Sequence, residues 1–270
     1  MRGAAVGGNH RGVALHVVAI VTAVLCGAGA ALAQQPVCVP PPAGMVAWWP
    51  GDDNTLDIVG NDTGTWVGTA AYTAGEVADA FSLNGSSYVQ APSTPAVSPT
   101  GAITIDAWVL PQATSSSRIV DKITAGGSDG YLLDVLGGQL RLIIDSASVQ
   151  AGTISAGTRY HVAGTYDGAT LTVYVNGASV GSVGHTGAIP TNSLPVRIGA
   201  DQTGANTFTG WIDEVEIYSR ALSGSEIQAI YNAATAGKCK PQPIPAASHL
   251  ALVALALLLA AAASQLLLRR

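Results

Sequence analysis

The amino-acid sequence predicts an all-β protein, a two-sheet antiparallel β-sandwich of the jelly-roll kind with one short helix near its C-terminal end. Short runs rich in valine, isoleucine, tyrosine and threonine alternate with turns rich in glycine, asparagine and aspartate. Asp-Gly and Asn-Gly pairs separate some of these runs, and such pairs favour hairpins because both central residues take positive φ angles. Helical periodicity appears only once, after the last predicted strand.

The N-terminal 33 residues are typical of a secretory signal peptide, and residues 34–44 form a proline-rich leader after it. Arg2 and Arg11 supply the positive start, an apolar run follows, and Ala31-Leu32-Ala33 is an A-x-A cleavage site. An uncleaved membrane anchor is the alternative interpretation of the same run. We expect a bacterial protein that is exported, either to the cell envelope and surface or into the medium.

The predicted domain, residues 45–236, is followed by a linker at 237–249 and by a hydrophobic helical tail at 250–270. The apolar part of the tail is marginal for a membrane span, which needs ~20 residues. The tail is preceded by Ile244-Pro245, continues as an apolar segment and ends in two arginines. This order resembles the bacterial C-terminal sorting segments of the IPTL-CTERM type. The tail is therefore predicted to contact the membrane, as a sorting signal that is removed or as a permanent anchor.

The body between these flanking segments is acidic. All 17 acidic residues lie in it, whereas four of the 12 basic residues lie in the flanks, which leaves the body with a formal net charge of −9. This charge argues against nucleic acid or an anionic surface as the partner. It suits a solvated extracellular protein and the binding of cations.

Two cysteines remain in the body, Cys38 near its start and Cys239 near its end. An even number of cysteines in an exported chain predicts a disulfide, and this one would join the first segment to the last. Two free thiols are the alternative.

Alternation of apolar and polar residues assigns faces to the predicted strands. Residues 131–135 and 139–144 flank Gly137-Gly138, and residues 160–166 and 171–175 flank Asp167-Gly168, so each pair is predicted to form a hairpin. Another hairpin turn is expected at Asn176-Gly177. Residues 102–110 alternate strictly, with Ile103, Ile105, Ala107 and Val109 on one face and Thr104, Asp106 and Trp108 on the other.

The predicted helix follows a capping box that runs from Ser223 to Glu226. Ile227, Ile230 and Tyr231 then form a short apolar stripe at helical spacing. We expect this stripe to pack onto the body.

The last predicted strand, residues 211–218, carries Asp213 on the face of Val215 and Ile217, which is expected to point inward. An inward carboxylate needs a partner: an arginine, several N–H donors or a cation. The loop at residues 52–64 is rich in carboxylates and in turns that expose carbonyl groups, the oxygen ligands that calcium takes. Loop and strand could share one ion, or the loop could be an aspartate-rich turn capped by its own backbone N–H groups.

Five segments in order resemble the laminin G-like, or concanavalin A-like, jelly-roll domain. Tyr160 stands where that family usually has tryptophan. The resemblance implies the fold, and it implies a structural calcium ion held by Asp57, by the carbonyl of Asn61 and by Asp213. The five segments are residues 48–61, 80–89, 103–109, 161–177 and 208–223.

Catalysis is not expected. Glycosidases of the same fold place two carboxylates on one strand, and Glu214 and Glu216 are two residues apart. However, the chain lacks the Glu-x-Asp-x-x-Glu pattern of the laminarinase type, so both are interpreted as surface charges. His161 has no nucleophile context and is expected to be a strand residue with a satisfied hydrogen bond.

The sequence therefore predicts a non-catalytic extracellular binding domain whose ligand is a glycan or another extracellular molecule. The alternatives are an adhesive envelope protein that binds protein or matrix polymer and, least favoured, a glycoside hydrolase. A sugar site needs exposed aromatic rings for stacking. The candidates are Trp66, Trp108, Tyr131 and Tyr160, for each of which packing in the core is the alternative. The sequence assigns neither the ligand-binding residues nor the oligomeric state.

Overall fold

The computed structural model describes residues 38–241 and shows two antiparallel β-sheets packed face to face, with one short helix. This arrangement confirms the predicted all-β sandwich. The predicted signal peptide, most of the linker and the hydrophobic tail lie outside the described residues. Within residues 38–241, no helix is long and apolar enough to cross a membrane.

The larger sheet has eight strands and the smaller sheet has seven. The larger one contains β1 (Met45–Trp49), β3 (Tyr72–Ala74), β4 (Asp79–Asn84), β6 (Ile103–Pro111), β11 (Tyr160–Tyr166), β12 (Thr170–Val175), β13 (Ala178–Gly184) and β15 (Thr209–Tyr218). The smaller one contains β2 (Thr65–Val67), β5 (Tyr88–Ala91), β7 (Ser116–Lys122), β8 (Tyr131–Leu136), β9 (Gln139–Ile144), β10 (Ala147–Thr153) and β14 (Val196–Ile198). Helix α1 (Gly224–Ala233) follows β15 and continues into a 3-10 turn at Ala234–Ala236.

The core lies between the two sheets, and the alternation of β6 is confirmed. Its four predicted inward residues, Ile103 to Val109, are fully buried there. Gly164 of β11 lets the sheets approach closely, because a Cβ at this position would lie only 2.8 Å from a methyl group of Leu142. An alanine there would therefore displace part of the core.

The predicted hairpins are present. Strands β8 and β9 pair around Gly137-Gly138, and β11 pairs with β12 across the turn that begins at Asp167. Asn176 and Gly177 take φ angles of 51° and 78°, which is the left-handed conformation that a two-residue hairpin turn requires.

Helix α1 packs on the outer face of the larger sheet. Ile227 and Ile230 contact a second apolar cluster that includes Tyr174 and Tyr218. The capping box is confirmed, since Ser223 and Glu226 each accept the backbone N–H of the other. Because the helix covers this face, the predicted outward residues of β6 are buried as well.

The first and last segments of the body are neighbours, as the cysteine pair predicted. Cys38 and Cys239 form a disulfide with a Cα–Cα distance of 4.9 Å. Val39 forms a parallel bridge with Lys238, and β1 pairs with β15 in the sheet. The chain therefore enters and leaves the body at one place.

Strand β15 departs from the predicted alternation at a β-bulge. Asp213 lies opposite Trp108, and Glu216 lies opposite Asp106, so two residues of β15 oppose one residue of β6. Glu214 within the bulge has a φ angle of 53°. The extra residue shifts the alternation of side chains along β15, so residues that would share a face in a regular strand point to opposite faces before and after the bulge.

Two predictions about β15 are wrong, one because of this bulge and the other because later segments of the chain cover the outer face. Val215 and Ile217 point into the core, whereas Asp213 shares the outer face with its cross-strand neighbour Trp108. Glu214 and Glu216 are not surface charges, since both are fully buried. The bulge and the cover formed by α1 and residues 234–241 turn this stretch into an internal polar layer.

Candidate functional site

A cleft of about 440 Å³ opens beside helix α1 on the outer face of the larger sheet, and we name it the helix-side cleft. Its volume lies in the range of small-molecule sites, about 300–1,000 Å³. The β3–β4 loop, β6, the β10–β11 loop, the β12–β13 turn and the end of α1 border it. The lining residues are Glu76, Trp108, Arg159, Asn176, Tyr231, Asn232 and Ala234.

An aromatic pair forms one wall of the helix-side cleft. The rings of Trp108 and Tyr231 are stacked, with centroids 5.8 Å apart and an angle of 29° between their planes. His161 packs against both rings, with its centroid 5.1 Å from that of Trp108 and 6.1 Å from that of Tyr231. Trp108 is only 5% exposed, whereas Tyr231 is half-buried, so Tyr231 supplies the accessible aromatic surface.

An ion pair supplies the charged part of the lining. Arg159 Nη1 lies 2.7 Å from Glu76 Oε2, and the two side chains are 52% and 4% exposed. The backbone N–H groups of Glu76 and Val77 donate to Asp213 Oδ2, at 2.7 and 2.9 Å. Asp213 therefore holds the loop that carries Glu76, while Arg159 reaches into solvent.

Two asparagines complete the lining. The Asn176 side-chain oxygen accepts the backbone N–H of His161 at 3.0 Å, and that of Asn232 accepts from Gln228 at 2.9 Å. Because both oxygens are engaged, the two amide groups can offer their N–H donors to a ligand. The cleft thus combines an aromatic surface with a carboxylate, a guanidinium group and two amides.

A buried ionic cluster, consisting of Asp106, His161, Glu214, Glu216 and Lys238, lies on the same face of the sheet. Lys238 Nζ is 2.7 Å from Glu216 Oε1 and 3.8 Å from Glu214 Oε2. His161 Nε2 is 2.9 Å from Asp106 Oδ2, but neither ring nitrogen of His161 has a hydrogen-bond partner among the described residues, so the satisfied hydrogen bond expected from the sequence is not found.

Burial dominates the electrostatics of the buried ionic cluster. It raises the pKa of Glu216 to about 8 and also raises the pKa of Glu214. Burial alone would lower the pKa of Lys238, but the carboxylates of Glu216 and Glu214 raise it. Since both glutamates are fully enclosed, they are not placed as the acid and nucleophile of an open glycosidase cleft.

Asp57, one of the predicted calcium ligands, caps its own turn. Its Oδ1 accepts the backbone N–H groups of Trp48, Val59 and Gly60 at 2.9–3.0 Å, and its Oδ2 accepts that of Asp62 at 3.0 Å. This is the backbone-capped turn that the sequence left open as the alternative. A calcium ion at Asp57 would have to compete with these four donors.

The other two predicted ligands have different surroundings. Asn61 is exposed, with a φ angle of 65°. Asp213 faces the Glu76 loop, and its Oδ1 is buried without a hydrogen-bond partner among the described residues. Burial raises the pKa of Asp213 to about 8. Within residues 38–241 no group of three or more His, Cys, Asp or Glu side chains is placed to hold a metal, so calcium stays a prediction.

The predicted stacking aromatics lie mostly in the core. Tyr131 is buried and donates its hydroxyl to the carbonyl of Val97. Trp66 and Tyr160 are partly buried and pack against the main core, which leaves Trp108 as the one that reaches the helix-side cleft.

Most residues of the helix-side cleft were not predicted as functional. Glu76, Arg159, Asn176 and Asn232 come from four separate segments, and no spacing in the sequence links them. Tyr231 was predicted only as part of the apolar stripe of the helix. Their proximity arises from the sheet order, which no local pattern encodes.

Solved structures with a similar fold include several binding domains. Domain 4 of AbnA, an extracellular GH43 arabinanase from Geobacillus stearothermophilus solved with arabinotriose, is 23% identical with a TM-score of 0.56, and the match covers 68% of this chain and 96% of that one. The binding domain of Paraclostridial Mosquitocidal Protein 1 is 18% identical with a TM-score of 0.59, covering 70% and 52%. The binding domain of botulinum neurotoxin DC in complex with SialylT is 11% identical with a TM-score of 0.53, covering 71% and 52%.

The chain thus spans about half the length of the two toxin domains, and at these identities the likeness shows the fold alone. No curated protein matches the chain. A family model described as the concanavalin A-like lectin/glucanases superfamily, of laminin G type, matches residues 83–228, which is just over half of the sequence. That match agrees with the sandwich topology and with the order of the sequence segments, and the chain belongs to this superfamily.

Proposed function

We propose that this protein is an exported, non-catalytic carbohydrate-binding domain that takes part of a glycan into the helix-side cleft. The observation that carries the proposal is the cleft itself, where the half-buried Tyr231 ring lies beside a carboxylate, a guanidinium group and two amides. The apolar face of a sugar ring packs on an aromatic ring, and its hydroxyl groups bond to planar polar side chains.

The comparisons support the same ligand class. The family description names lectins, and two of the structural neighbours were solved with arabinotriose or SialylT. The enclosure of Glu214 and Glu216 supports the non-catalytic part of the proposal. A structural calcium ion at Asp57, Asn61 and Asp213, which the sequence resemblance implies, would stiffen the loop and take no part in chemistry.

The test is a glycan array probed with the purified full-length chain, its Tyr231→Ala variant and a Tyr88→Ala control. Tyr88 is also a half-buried tyrosine, but it belongs to the smaller sheet. We expect Tyr231→Ala to weaken the strongest sugar signal by about tenfold, the equivalent of ~1.4 kcal/mol of stacking, and Tyr88→Ala to leave it unchanged. Absence of sugar binding by the unmodified chain would refute the proposal and favour an adhesive protein that binds protein or matrix polymer.

A further inference from the structure

We infer that the Glu76–Arg159 pair makes the helix-side cleft select neutral sugars and exclude sugars that carry a carboxylate. This inference rests on the proposed carbohydrate-binding function. Glu76 and Arg159 are the two charged side chains among the residues that line the cleft, and they neutralise each other at 2.7 Å. An acidic sugar therefore meets no uncompensated cation in the lining.

Glu76 is fixed in the cleft. Its backbone N–H is bonded to Asp213, Gly75 before it bonds to the carbonyl of Ala78, and the side chain is 4% exposed. A Cβ at Gly75 would lie 2.5 Å from Asp213 Oδ2, so the loop and Asp213 are in close contact. These contacts fix the backbone of Glu76, and its enclosed side chain would lose the ion pair with Arg159 if it turned out to solvent.

Arg159 is therefore not available to a ligand carboxylate. If it moved to an acidic sugar, it would leave Glu76 as a buried charge without a partner, which is strongly unfavourable. If it stayed, the sugar carboxylate would lie close to Glu76 and be repelled by it. Both arrangements penalise an acidic ligand relative to a neutral one of the same shape.

The nearby lysines do not change this balance. Lys238 is enclosed against Glu216 and Glu214, and Lys240 lies 2.6 Å from Asp52 and 2.9 Å from Glu214. The body as a whole carries a formal net charge of −9, which adds a long-range repulsion of anions. A neutral sugar hydroxyl, in contrast, can donate to Glu76 and accept from the exposed guanidinium group of Arg159.

The test compares neutral sugars with their uronic acid counterparts of the same stereochemistry, such as galactose with galacturonic acid and glucose with glucuronic acid, in oligosaccharides. The full-length chain should prefer the neutral member of each pair by about tenfold or more. Glu76→Gln, which keeps the shape and frees Arg159, should reduce or reverse this preference. Any binding of the acidic sugar that Glu76→Gln gains through the freed Arg159 should be lost again in the double variant Glu76→Gln/Arg159→Gln.

The matched control is Glu226→Gln, which frees Arg220 in a surface ion pair beside the helix cap and should not change the preference. Equal binding of both sugars by the unmodified chain would overturn the inference, and this comparison does not depend on how well a variant folds. An unchanged preference in a folded Glu76→Gln variant would overturn it as well. If sugars bind and Tyr231→Ala weakens their binding, the proposed function stands even when one of these two results overturns the inference. If no sugar binds at all, both the proposed function and the inference are refuted.

Discussion

Replacing Lys238 by methionine should destabilise the fold far more than the loss of a surface ion pair. The side chains of Lys238 and Glu216 are 1% and 0% exposed and lie 2.7 Å apart, with Glu214 at 3.8 Å as a second enclosed carboxylate. Removing one partner of a buried ion pair costs about 3–5 kcal/mol when the remaining carboxylate is ionised, because its charge is left in a medium of low polarity, and the full loss is therefore expected above about pH 8, where Glu216 is ionised. For a body of this size each kcal/mol lowers the melting temperature by about 2–4 °C, so we expect a decrease of about 6–20 °C.

The assay is urea and thermal unfolding of the full-length chain, followed by circular dichroism at several pH values. Arg220→Met is the control, because its ion pair with Glu226 is about one-third exposed and should contribute at most ~1 kcal/mol. The Lys238→Met variant should regain stability as the pH falls, since Glu216 and Glu214 can then bind protons. A loss no greater than that of Arg220→Met would refute the reasoning.

Three further outcomes are expected. Cys239→Ser should lower the free energy of unfolding by about 2–5 kcal/mol, and treating the unmodified chain with reductant should have the same effect in urea melts. Burial raises the pKa values of Asp213 and Glu216 to about 8, above their ordinary values of 3.8 and 4.5. At a pH between the ordinary and the raised values, the native state therefore binds more protons than the unfolded chain does. Its stability should therefore fall as the pH rises from about 5 to about 8, and Asp213→Asn should flatten that slope in a pH series of melts. Chelation with EDTA should lower the melting temperature if calcium is bound as the resemblance implies, and an Asp213→Ala variant that melts like the unmodified chain would contradict that assignment.

Local patterns in the sequence predicted much of the architecture. Strict alternation identified the inward residues of β6, and Asn176-Gly177 marked a hairpin because asparagine and glycine accept positive φ angles at low cost. The disulfide followed from the number of cysteines and their expected compartment. Each of these signals depends on residues close in the chain or on a simple count.

The bulge in β15 and the helix-side cleft depend on tertiary structure instead. No residue in the run from Asp213 to Glu216 signals an extra residue, because Glu214 takes a left-handed conformation that glycine or asparagine would normally occupy. The burial of Glu214 and Glu216 requires Lys238, which is brought to them by the closing segment of the body. The cleft likewise combines residues whose positions along the chain range from Glu76 to Ala234.

The Cys38–Cys239 bond also makes the body a covalent ring, since it joins residues 201 positions apart. A protease that cuts one exposed loop, such as residues 124–128 between β7 and β8, opens this ring without separating it into two molecules. The two fragments stay linked through the disulfide and through the strands that pair across the cut. If the protein is exported as proposed and meets extracellular proteases, a single nick would be visible on a reducing gel, while the disulfide and the paired strands keep the sandwich and its cleft together.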